Sequence, residues 1–91
     1  MAASKTFLKD PDAVLDYEFD WSLWLADGET ITDHTVTVAG VTLDASTASD
    51  TAVVAWVSAG TVSTTATVAV LVTTSAARVD ERTINLRIGQ R

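Results

Sequence analysis

Apolar and polar residues alternate one by one along much of this chain, and the clearest stretch runs from Leu15 to Trp21. Leu15, Tyr17, Phe19 and Trp21 are apolar or aromatic, and Asp16, Glu18 and Asp20 stand between them. Successive side chains of a strand point to opposite faces, so a period of two predicts a β-strand with its aromatics inward and its acids in an outward row. Leu23 and Leu25 continue the alternation, Trp24 interrupts it, and Asp27-Gly28 offers a turn. A second strand is expected from Thr30, with a bend or bulge at Asp33-His34, followed by Val36 and Val38 alternating with Thr35 and Thr37. Gly40 marks a tight connection or bulge before Val41-Thr42-Leu43, and the small polar run Asp44 to Asp50 reads as a loop.

Ala52 to Val57 is apolar at nearly every position, as in a strand covered on both faces, and Ser58-Ala59-Gly60-Thr61 closes it with a turn. From Thr65 to Thr74, Ala66, Val68, Val70 and Val72 share one face, opposite Thr67, Ala69, Leu71 and Thr73. Ser75-Ala76-Ala77 turns the chain into a last strand, in which Ile84, Leu86 and Ile88 alternate with Thr83, Asn85 and Arg87. About six to seven short antiparallel strands at even spacing predict an all-β fold, a β-sandwich. Residues 1–9 read as a flexible N-terminal arm and 10–91 as one domain, with Asp10 capping a single turn that has Pro11 at its first position.

The 91 residues hold one domain and one core, and with no cysteine neither a disulfide nor a thiolate metal site supports it. The uncharged stretch from Thr51 to Ala77 is interrupted by Ser58, Gly60, Thr61, Ser63, Thr64, Thr65 and Thr67, so it lacks the ~20 consecutive apolar residues of a spanning helix. No membrane partner is expected. The start of the chain lacks the apolar run of a secretory signal, which predicts synthesis in the cytoplasm.

A net charge of −6 argues against a nucleic-acid partner, because phosphate binding requires clustered Lys and Arg. The charges are unevenly placed: ten of the twelve acids lie between Asp10 and Asp50, no Lys or Arg occurs between Lys9 and Arg78, and Arg78, Arg82, Arg87 and Arg91 follow. Such polarity suits docking on a partner or on a second copy. His34 is the only histidine and no Gly-x-Ser-x-Gly elbow is present, so no catalytic residue is assigned. No cofactor is expected. A metal is not expected either, because Asp16, Glu18 and Asp20 lie along a line and do not converge, and no Asp-x-Asp-x-Asp-Gly loop occurs. Trp21 shares the aromatic face and is expected in the core, whereas Trp24 breaks the period and is the candidate for an exposed aromatic anchor.

Lys9-Asp10-Pro11-Asp12, Leu15-Asp16-Tyr17, Phe19-Asp20-Trp21, Trp24-Leu25, Gly28-Glu29-Thr30-Ile31, Val57-Ser58-Ala59-Gly60-Thr61, Thr73-Thr74-Ser75 and Arg78 together form a pattern. It resembles the small immunoglobulin-like structural proteins of tailed bacteriophages and prophages, the fiber-tail adaptor or minor virion proteins. Two positions depart from that pattern: Glu29 stands where the family more often has Asp, and Ala59-Gly60 replaces paired glycines. The resemblance implies a non-enzymatic, immunoglobulin-like virion component made in the bacterial host. Its partners would be other virion proteins of the capsid, neck, tail or fiber, and possibly further copies of itself.

Three contact surfaces are expected: an arm around Phe7 and Leu8, the acidic row Asp16, Glu18 and Asp20 with Trp24 near it, and the end bearing Arg78, Arg82, Arg87 and Arg91. The alternative is a carbohydrate- or host-surface-binding module that uses Trp24 and the acidic loops.

Overall fold

The computed structural model describes residues 5–89, with the Lys5 side chain excepted. Seven strands follow one another: β1 (Lys5–Lys9), β2 (Leu15–Asp20), β3 (Ile31–Ala39), β4 (Thr42–Ala48), β5 (Ala52–Ser58), β6 (Thr65–Thr74) and β7 (Val79–Ile88). They form two sheets, one of four strands in the order β1-β7-β6-β3 and one of three in the order β2-β5-β4. Between them lie Phe19, Trp21, Val53, Val57, Val68, Val70, Val72 and Leu86. The molecule is an all-β sandwich.

The alternation reads directly onto this core. Ala66, Val68, Val70 and Val72 of β6 are all buried, as are Ile84, Leu86 and Ile88 of β7, and the antiparallel register sets Val68 beside Ile84 and Ala66 beside Leu86. Phe19 of β2 and Trp21 just past its end are buried while Asp16, Glu18 and Asp20 face solvent. A slip of one residue would drive three carboxylates into the core, so register here is strongly specified. The irregularity expected at Asp33-His34 falls just before that pair, between Ile31 and Asp33, where the pairing with β6 shifts.

The structure differs from the sequence expectations at two elements. Lys5–Lys9 is not part of a flexible arm but an edge strand paired in parallel with β7, so the sheets are not wholly antiparallel. Residues 1–4 of that expected arm lie outside the described residues. Thr42–Ala48 is strand β4 where Asp44 to Asp50 reads as a loop. The cause is non-local: β5 is buried and its backbone groups on both sides require partners, so a small polar segment is recruited to its second edge. A register shift between Leu43 and Ala45 absorbs the misfit. The tight connection expected at Gly40 is present: at a φ of 81° it carries the chain from β3 in one sheet to β4 in the other. A Cβ there would stand 3.1 Å from that of Ala66.

Candidate protein-contact surfaces

At one end of the sandwich, the connection from β2 to β3 is tied to the β6–β7 hairpin by two arginines. The Arg78 guanidinium donates from Nε to Glu29 Oε2 at 2.9 Å and from Nη2 to Oε1 at 2.5 Å. Glu29 also accepts from the Thr74 hydroxyl and from the Ala26 backbone N–H. Its side chain is only 3% exposed. Those donors, Arg78 foremost and then Thr74 and Ala26, hold the Glu29 pKa down at about 2, and the same pairing raises that of Arg78. Arg78 also lies 4.1 Å above the Trp24 ring and donates to the Trp24 carbonyl.

The second arginine repeats the motif one strand pair inward. Trp21 is fully buried and its indole N–H donates to Asp80 Oδ2 at 2.8 Å. Arg82 stacks 4.8 Å from the Trp21 ring centre and donates to the Asp20 carbonyl at 2.5 Å. The Asp20 carboxyl accepts from the Ser22 N–H, and this bond, helped by the Ser22 hydroxyl and by Arg82, lowers its pKa.

Three expected contact residues, Arg78, Arg82 and Trp24, are therefore engaged inside the molecule. Arg82 and Trp24 are half-buried, so Trp24 is not the fully exposed aromatic expected from its break in period. Arg78 remains partly exposed, Arg87 is exposed, and Arg91 lies outside the described residues. Among the described residues the arginines thus do not form one continuous basic end. Sequence pattern shows neither stack, because Trp24 and Arg78 meet only through the fold.

The opposite end holds Lys9, fully buried, whose ammonium donates to the carbonyls of Asp10 at 2.9 Å and Ala59 at 2.6 Å. Asp10 accepts from the Asp12 N–H in the expected capped turn. Ala59 and Gly60 both have positive φ, 66° and 114°.

Two outer faces differ in chemistry. On the three-stranded sheet, cross-strand pairing sets Trp56, 40% exposed, between Asp16 of β2 and Ala45 of β4, with Val54 beside Glu18. The acidic row of β2 therefore borders an exposed indole. The apolar run Ala52 to Val57 concealed this, since it reads as covered on both faces; Asp16 opposite Trp56 was the available signal. On the four-stranded sheet, Thr35, Thr37, Thr67, Ala69, Leu71 and Thr83 meet across β3, β6 and β7 in a threonine-rich face that also carries Asp33, Glu81 and Arg87, with Glu81 opposite Leu71. His34 lies in β3, half-buried, with Nε2 3.3 Å from Ser46 Oγ of β4.

Phe7 and Leu8 are 40% and 48% exposed. Phe7 meets the Tyr17 ring at 5.4 Å between centroids, at the side of the sandwich where β1 and β2 form the sheet edges.

The geometry is that of a compact framework with the Glu29–Arg78 pair locked at one end, Lys9 buried at the other and two unlike faces exposed. No curated protein matches the chain. Residues 9–87, from the buried Lys9 to the exposed Arg87 and so nearly the whole sandwich, match the Gp77 family, described as podophage GP4 fiber-tail adaptor protein gp77. The chain belongs to this family of phage fiber-tail adaptors, structural components of the virion tail.

Proposed function

We propose that this domain joins two different virion proteins by passive binding, with the aromatic-acidic face of the three-stranded sheet engaging one and the threonine-rich face of the four-stranded sheet engaging the other. The observation that carries this reading is the contrast between the faces: Trp56, Asp16 and Glu18 on one, Thr37, Ala69 and Leu71 on the other. An adaptor that must discriminate two partners needs two surfaces of unlike chemistry, and charge complementarity fixes which partner docks where. The domain acts without cofactor or catalysis after synthesis in the host cytoplasm. Glycan stacking on Trp24 finds less support, because Arg78 covers one face of that ring and the core packs against the residue.

The test is complementation of a phage lacking this gene, with purified particles assayed for the domain and for attached fibers. Asp16→Lys combined with Glu18→Lys, and separately Leu71→Arg, alter exposed positions and should leave the melting midpoint unchanged. One variant should yield particles that retain the domain but lack fibers, and the other particles that lack the domain. Wild-type occupancy and fiber number in both would overturn the proposal.

A further inference from the structure

The sandwich has four strands on one side and three on the other, and β1 is the strand with no counterpart. Phe7 lies on the inward face of β1, in register with the fully buried Leu86, yet it is 40% exposed. Beside it runs a groove of about 370 Å³, lined by Phe7, Tyr17, Phe19, Ile84 and Arg82 with the acids of β2 along its rim. A second hollow of about 400 Å³ continues it past Leu8 and Leu15.

The edge of β2 that borders this groove is open. Trp21 donates to Thr51 across the β2–β5 pair, so by period two the N–H and C=O groups of Phe19 and Tyr17 also point to β5. Those of Asp16, Glu18 and Asp20 point the other way, toward the groove. The Arg82 bond to the Asp20 carbonyl, made from that side, agrees. Among the described residues β2 pairs with β5 alone.

Deepening the adaptor reading and resting on it for the partner's origin, we propose that this edge accepts an extended basic segment of a partner protein as a fourth strand of the smaller sheet. Strand addition supplies main-chain hydrogen bonds from the edge and selectivity from alternate side chains. The chemistry of the segment follows from the two sides it must satisfy. Its outward residues stand beside three carboxylates spaced about 6.8 Å apart, two residues of strand rise, which calls for Lys or Arg at every second position. Its inward residues cover Phe7, Tyr17 and Ile84, which calls for apolar side chains between them. Charges on an open edge also discourage pairing between copies of this acidic chain, so the same row favours a basic partner over self-association.

The probe is a labelled peptide, acetyl-Thr-Lys-Val-Lys-Val-Lys-Thr-amide, titrated against the full chain by fluorescence anisotropy. It should bind about 10-fold more tightly than an isomer with its three lysines adjacent, and its affinity should fall several-fold between about 0.05 and about 0.5 M salt. Binding should protect the Asp16 and Glu18 amides from hydrogen exchange. Glu18→Pro removes an outward N–H and leaves the β5 ladder intact, a change an edge strand tolerates, so it should weaken binding about 10-fold with the fold retained. The triple charge reversal D16K/E18K/D20K provides a second variant should the proline unfold the strand, and should abolish binding of the basic peptide. Equal affinity for the two isomers, or no protection of the two amides, would overturn the groove assignment. Such failure leaves the two-faced adaptor open to its own particle assay, whereas wild-type occupancy and fiber number in both particle variants, with intact peptide binding, would refute that reading alone.

Discussion

The two ends of the sandwich solve the same problem, a buried charge, in different ways. At one end Glu29 and Arg78 neutralise each other in a two-bond contact, with Thr74 and the Trp24 ring completing the enclosure. At the other, Lys9 has no carboxylate within ion-pair distance among the described residues and rests on two carbonyls. The first end answers to pH and tolerates little change in shape, because each group has a fixed partner. The second depends on backbone geometry, because a carbonyl is presented by the conformation of its own residue, here Ala59 at positive φ.

The largest effect should come from removing the packing element at the paired end. Trp21 is wholly buried, stacks with Phe19 and anchors Asp80 and Arg82. Trp21→Ala should destabilise the domain by about 3 to 5 kcal/mol, through lost contacts and a residual cavity, and leave Asp80 without its indole partner. Urea unfolding followed by circular dichroism would measure it. A loss below about 1 kcal/mol would mean that this end is not the structural anchor.

The pH response should separate the ends next. Glu29 has a folded pKa of about 2, against 4.5 ordinarily, so the folded state binds fewer protons. Its contribution is therefore fully present above about pH 4.5 and is lost as the pH falls toward 2. Glu29→Gln should lower the melting midpoint by about 5 °C at neutral pH and flatten its decline in acid, leaving a residual slope from carboxyls such as Asp20. An unchanged acid profile in the variant would move the pH dependence elsewhere, away from the Arg78 pair.

The sequence made the middle of the molecule legible and its ends opaque, for a physical reason. Within strands the constraint is local: the face of Val68, Val70 and Val72 follows from alternation alone, and so does the outward row from Asp16 to Asp20. The edges depend on neighbours distant in the chain. β1 exists because β7 offers it a ladder, and β4 because β5 does, although neither Lys5–Lys9 nor Thr42–Ala48 has a strong strand pattern of its own. The ion pair and both indole stacks join residues at least 49 positions apart, as Arg78 and Glu29 are. The groove beside β2 is equally non-local, since it arises from an unequal number of strands.

The smallest effect should have the opposite sign and belongs to the Lys9 end. Ala59 adopts the left-handed region, at a φ of 66°, where a Cβ crowds the backbone by about 1 to 2 kcal/mol. Glycine removes that strain and gives back part of the gain as chain entropy, so Ala59→Gly should stabilise the domain by about 0.5 to 1 kcal/mol. Because no titrating carboxyl is involved, the whole pH profile should rise evenly, in contrast to the acid-limited change of Glu29→Gln. Gly60→Ala is the matched control: at a φ of 114° an added Cβ would come within 2.9 Å of Ile88 Cδ1, so this substitution should destabilise. If Ala59→Gly instead lowers stability, the alanine methyl contributes packing that outweighs its strain, and the Lys9 carbonyl contact does not depend on relaxed backbone at Ala59.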